Sequence, residues 1–164
     1  MLSKPLLDLL NAQINQELYS SYLYLAMSAY CESNNYPGFA KWMQVQSSEE
    51  TKHAMKIYSH VHELAGTVTL LKIDQPPADF KSPSLLFQQA LEHERKISAA
   101  ITSLYEAAIK EKSYPTQIML EWFITEQVEE EKTAADIVAQ FKMVGDTPVS
   151  IMMMDRQLGM RSGQ

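Results

Sequence analysis

The chain of 164 residues has one cysteine, Cys31, and therefore no Cys-x-x-Cys pair. An intramolecular disulfide, a thiolate zinc site and thioredoxin-type chemistry are excluded, and a reducing compartment suits it. Glycine is scarce at 5 residues, none of them gathered into a phosphate-cradling loop. Basic residues are outnumbered, 14 Lys and Arg against 20 Asp and Glu, for a formal charge of -6. Most of such a surface repels a phosphate backbone, so nucleic acid is not an expected partner. No apolar run approaches the roughly 18 residues of a membrane helix, and Asp8 falls where a signal peptide would stay apolar. No membrane is expected as a partner, and the cytoplasm is the expected location.

The sequence is instead rich in helical pattern. Hydrophobic residues make up 46% of the chain, enough for a single domain with a real core at this length. Apolar positions advance by steps of three and four through four long segments, at about 4–33, 38–64, 83–112 and 115–144. Ser3 and Ser82 stand where helix caps belong, and Pro5 and Pro83 fit first turns. A short fifth helix, about 148–160, is announced by Asp146-Thr147-Pro148. Val149, Ile151, Met152, Met153, Met154, Leu158 and Met160 make it apolar around most of its circumference. It is expected either to cross the bundle end or to bury itself against other copies of the chain, and its place after a complete four-helix set favours other copies.

Residues 65–82 form the one long connection. At about 3.3 Å per extended residue they can traverse the roughly 40 Å of a long helix, so the second and third helices can run parallel. The expected fold class is all-α: a four-helix bundle of two helical hairpins joined by a long crossover, with a short fifth helix.

Polar residues interrupt the inward stripe of every long helix. The first helix reads Leu10, Ile14, Glu17, Ser21, Tyr24, Ser28 and the second Phe39, Met43, Gln46, Glu50, His53, Ile57, His60. The third reads Phe87, Ala90, Glu94, Ile97, Ile101 and the fourth Leu120, Phe123, Gln127, Glu130, Ala134, Ile137. Each interruption lies near a helix midpoint, a level that up and down helices share. Glu17, Glu50, Glu94, Glu130 and His53 therefore converge. Four buried carboxylates are tenable at neutral pH only with cations among them, and oxygen ligands with one imidazole suit iron or manganese.

At these residues the chain resembles the ferritin family, specifically its non-haem bacterial members, over nearly its whole length. Glu17, Tyr24, Glu50-x-x-His53, Glu94 and Gln127-x-x-Glu130 look like the family's ferroxidase centre. The resemblance implies a ferritin-like bundle in which Glu17, Glu50 and His53 hold one iron and Glu50 bridges to a second held by Glu94 and Glu130. Gln127 would stand just behind them, close to bound oxygen, and Tyr24 beside the pair as a source of an electron or hydrogen bond. A third iron position would map onto Glu49, Glu126, Glu129 and Glu130, residues that otherwise read as a solvated acidic face. The implied activity is oxidation of ferrous iron by oxygen or peroxide and storage of ferric mineral inside a twenty-four-subunit shell, the fifth helix packing around its fourfold axes.

The fourth helix departs from the symmetric di-iron pattern by offering Gln127-x-x-Glu130 where others repeat Glu-x-x-His, so one imidazole is missing. A weaker ligand set should release ferric iron more readily. Haem is not expected, because Lys52 stands where bacterioferritins place their methionine; Met55 is the nearest alternative. His60 reads as a hydrogen-bonded core histidine, His93 points about 100° from Glu94, Trp122 as a packing residue near the centre, and Cys31 as a small buried hydrophobe. Two other readings stand beside storage: a rubrerythrin-like di-iron peroxidase, against which the lack of a rubredoxin-like cysteine set counts, and a metal-free bundle whose central acids form a structural polar network.

Overall fold

A computed structural model describes residues 2–163. The order of elements is α1 (Lys4–Ser33), α2 (Pro37–Glu63), α3 (Pro83–Lys110), α4 (Tyr114–Val144) and α5 (Pro148–Leu158), with no strand among the described residues. The fold is the all-α bundle with a long crossover and a short fifth helix. None of the helices is long and apolar enough to cross a membrane, among the described residues.

Local chemistry sets the helix ends. Ser3 and Ser82 each accept a hydrogen bond from a backbone N–H of the first turn, Leu6 and Leu85 respectively, at 3.2 Å. Thr147 does the same for Ser150 at the start of α5. The helices stop where the backbone turns left-handed, at Asn35, Ala65 and Lys112 with φ of 62°, 56° and 54°. For α3 this places the last residue at Lys110 rather than 112.

The crossover is extended, and α1 holds it in place. Asn11 accepts from the Thr69 N–H at 3.1 Å and donates to the Thr67 carbonyl at 3.3 Å. Asn15 donates to the carbonyls of Leu71 and Lys72. Phe80, fully buried, pins the far end into the core. A strap with few backbone partners of its own is thus satisfied by two amides one helical turn apart.

The apolar interior is divided. One cluster gathers Leu23, Met27, Phe39, Met43, Phe87, Ile137 and Phe141 toward one end, and the other gathers Leu6, Leu10, Ile57, Val61, Ile101, Leu104 and Leu120 toward the opposite end. The polar midpoints of the four long helices lie between them.

The short helix docks on the bundle through one edge and leaves much of its apolar surface exposed. Met154 and Asp155 are buried against the start of α2, while Val149, Met152 and Met153 are 69%, 57% and 65% exposed. The docking is specific. Asp155 Oδ1 accepts from the Phe39 N–H at 2.8 Å, supplying the cap that Tyr36 does not give α2. Gly38 is required there, since a Cβ would lie 1.7 Å from the Asp155 carbonyl oxygen, and Gly159 similarly faces the Gly38 Cα. We expect Asp155→Ala to lower the unfolding free energy by about 1–2 kcal/mol in urea titrations, as a lost helix cap does. Gly38→Ala should be at least as damaging, because α5 must move; unchanged midpoints for both would mean α5 docks by other contacts.

Candidate metal centre

Each long helix contributes one carboxylate to the same level. Glu17 of α1, Glu50 of α2 and Glu94 of α3 are at most 2% exposed, and Glu130 of α4 is partly buried beside them. His53, one turn beyond Glu50, turns Nδ1 to within 3.2 Å of Glu50 and 4.0 Å of Glu17. Two groups of donor atoms result, each drawn together within 4.8 Å: Glu17, Glu50 and His53, and Glu50, Glu94 and Glu130. Glu50 belongs to both, which is the arrangement of two adjacent cation positions sharing one carboxylate.

Neighbouring amides and one phenol brace these acids. Gln13 donates to Glu17 at 2.8 Å, and Gln46 donates to Glu50 at 3.0 Å and Glu130 at 2.9 Å. Tyr24 donates a short hydrogen bond to Glu94. Gln127 donates to the Glu94 carboxylate and to the Ser98 hydroxyl, each at 3.2 Å. After this bracing, Glu17 Oε2, His53 Nδ1 and Glu130 Oε2 are still buried without a hydrogen-bond partner. Orphaned atoms of this kind are costly in a finished polar network, and all three belong to residues of the two donor groups. The donor set fits divalent cations.

Burial raises the carboxyl pKa values of Glu17, Glu50 and Glu130. Glu50 is held well above its ordinary value by burial first and then by the charges of Glu94 and Glu17. Glu130 is pushed up to about 12 by burial, with Glu50 and Glu94 adding to it. Glu17 is raised by burial, against which Gln13 and His53 act. Tyr24 lies well above the usual phenol range for the same causes, burial and then Glu94, so it stays a protonated donor.

A cleft of about 340 Å³ opens the centre on the side of α2 and α4. Glu49, Glu126 and Glu129 line it together with Glu130. Glu126 lies 3.9 Å from His53 Nε2 and forms with it and Glu130 a third group of possible ligands. Glu49 is engaged instead by Arg161, at 2.7 Å, and Glu129 is exposed.

The remaining sequence candidates have plain places. His60 is buried and within 3.0 Å of Thr116 Oγ1. His93 meets Ser20 Oγ at 2.7 Å and lies edge-on to Tyr24. Trp122 packs edge-on against His53, ring centroids 5.3 Å apart, with Lys56 Nζ over its ring at 4.6 Å from the centroid. Met55 is half exposed on the side of α2 that carries Lys52. Cys31 is fully buried, and burial pushes its thiol up to about 12. Sequence reasoning missed Gln13 as a brace and left Gln46 without a role. The repeated spacing Gln13–Glu17 and Gln46–Glu50 was a usable signal, since residues four apart share a helix face.

Comparison with known proteins finds a matching family. Residues 7–144 match the Ferritin family, described as a ferritin-like domain. The chain is 41% identical over 161 residues to a bacterial non-heme ferritin of Bacteroides fragilis, covering 98% of this chain and 100% of the relative. It is 36% identical over 158 residues to the bacterial non-heme ferritin of Campylobacter jejuni, covering 96% and 95%. Among solved structures, an open pore ferritin from the archaeon Archaeoglobus fulgidus superposes with a TM-score of 0.97 at 40% identity, covering 99% of this chain and 100% of that one.

Protonated acids at the centre have a thermodynamic consequence. A carboxyl with a raised folded-state pKa contributes stability that is fully present below its unfolded value, near 4.5, and is lost as pH rises through the folded value. The metal-free protein should therefore lose unfolding free energy from about pH 5 upward, by at most about 1.4 kcal/mol per pH unit for each such group. Glu50→Gln should flatten that slope. Adding zinc, which is redox-inert, should reverse it and release protons into a weakly buffered solution at pH 7. A flat stability profile with no proton release would contradict the assignment.

Proposed function

Because the chain belongs to the ferritin family, we propose that it stores iron, oxidising ferrous ions at the Glu17, Glu50, His53, Glu94, Glu130 centre and passing the ferric product to a mineral inside a closed shell. The observation that carries this reading is the pair of donor groups sharing Glu50, with buried atoms of Glu17, His53 and Glu130 left without partners. Glu17, Glu50 and His53 take one ferrous ion and Glu50, Glu94 and Glu130 the other, so two electrons can leave together for oxygen or peroxide. The carboxylates stabilise the higher charge of ferric iron as it forms. Tyr24, held protonated against Glu94, is placed to supply a hydrogen bond or an electron. Gln127 fixes the orientation of Glu94.

With a single imidazole, the ligand set binds iron less permanently than a symmetric pair of Glu-x-x-His motifs, which suits a station that passes its product on. The exposed apolar face of α5 is the part of the chain we assign to contacts between subunits, in the cytoplasm, as a hollow assembly requires. A metal-free structural network is the poorer reading, because two groups of ligating atoms that share Glu50 are the arrangement of adjacent cation positions.

Aerobic addition of a large excess of ferrous iron to metal-free protein, followed by sedimentation, tests the proposal. Soluble ferric iron should travel with a large shell at far more than two ions per chain. His53→Ala and Glu50→Ala should slow oxidation at least tenfold while the shell stays intact. Uptake that stops near two per chain on a small oligomer would favour a di-iron peroxidase, and no uptake would leave the structural bundle.

A further inference from the structure

Beyond α5, Arg161 returns to the open side of the centre. Its Nη2 donates to Glu49 Oε2 at 2.7 Å, and its guanidinium lies over the Trp42 indole, 4.4 Å from the ring centroid. Arg161 and Glu49 are 22% and 18% exposed, and Trp42 is buried. Arg161 thus stands in the same cleft as Glu49, Glu126, Glu129 and Glu130. Glu130 also belongs to the donor group around Glu50, so this cleft joins the centre directly.

The tether is short and fixed. Asp155 is anchored to the Phe39 N–H, and Gly159 sits against Gly38, so Arg161 is only two residues beyond a clamped point. Its effective concentration in the cleft is accordingly high. Arginine suits the position because a planar guanidinium can pair with a carboxylate and stack on an aromatic ring at once. The pairing is incomplete, since Arg161 Nη1 is buried without a hydrogen-bond partner. An unpaired donor lowers the cost of release.

We propose that Arg161 is a tethered cation that occupies the acidic cleft in place of a metal ion, so that an ion passing between the centre and the cleft must displace the C-terminal segment. The proposal rests on the assignment of Glu17, Glu50, His53, Glu94 and Glu130 as a divalent-metal centre. It makes Arg161 the residue that sets how tightly the cleft holds a third cation. In its absence Glu49, Glu126 and Glu129 would lose the guanidinium that now stands in their cleft, and a divalent ion would gain the attraction it takes.

Calorimetric titration of the metal-free full-length protein with zinc tests this without redox chemistry. The wild type should bind two ions per chain tightly and a third weakly. Arg161→Gln should tighten the third by at least tenfold and leave the first two within about twofold, and Arg161→Lys, which keeps the charge, should fall close to the wild type. An unchanged third affinity in Arg161→Gln would overturn the proposal while leaving the centre intact. Failure of the wild type to bind the first two ions would overturn the centre itself and the proposal with it. In a Trp122→Phe background Trp42 is the one remaining indole, and its emission should shift at the third equivalent as the guanidinium leaves. Steady emission through that equivalent would also overturn the proposal, whether or not Arg161→Gln assembles.

Discussion

Glu17, Glu50, Glu94 and Glu130 repel one another and are kept from water by apolar layers on either side, and much of the rest of the structure depends on how that repulsion is relieved. Removing one ionised carboxylate from water costs several kcal/mol even after relaxation. Without metal, burial and mutual repulsion hold Glu50 and Glu130 above the ordinary carboxylate range, which favours proton uptake. With two divalent ions between them the same carboxylates become ligands. The long helices, the parallel placement of α2 and α3 by the strap, and the two apolar clusters together hold four helix midpoints at one level. The amides of Gln13 and Gln46 and the phenol of Tyr24 then fix individual oxygens, leaving free the atoms that face inward.

The centre is not sealed. Its α2 and α4 side opens into an acidic cleft, and α5 is positioned by contacts with the first turn of α2 that carry Arg161 to that opening. Asp155 caps α2, Gly38 and Gly159 permit close approach, and Arg161 reaches Glu49. The helix whose apolar outer face we assign to subunit contact is thus also the element that aims a cation at the iron path. Assembly and iron traffic would be linked through a few residues at one corner of the subunit.

Much of this was legible in the amino-acid order. The inward stripes place Glu17, Glu50, His53, Glu94 and Glu130 because helical period alone fixes which residues share a face, and a carboxylate in an apolar stripe is conspicuous. The crossover was legible from its length. Its attachment was not, since Asn11 and Asn15 read as ordinary polar positions until the strap is laid over them. Asp155 and Arg161 escaped for the same reason. Their partners Phe39 and Glu49 are 116 and 112 residues away, and no local pattern reports a contact of that separation. Glu49, Glu126 and Glu129 read equally as a cleft lining or a solvated acidic face, and only the packing of α2 against α4 brings them around one opening.

The central claim is that the buried carboxylates and His53 are one two-metal centre. Anomalous X-ray diffraction at the iron edge, from crystals loaded without oxygen to two ferrous ions per chain, tests it most directly. The account requires two peaks, one bounded by Glu17, Glu50 and His53 and the other by Glu50, Glu94 and Glu130, with Glu50 between them. Iron found only on the exposed acidic surface, with the central carboxylates still hydrogen-bonded to one another and to the amides, would contradict it.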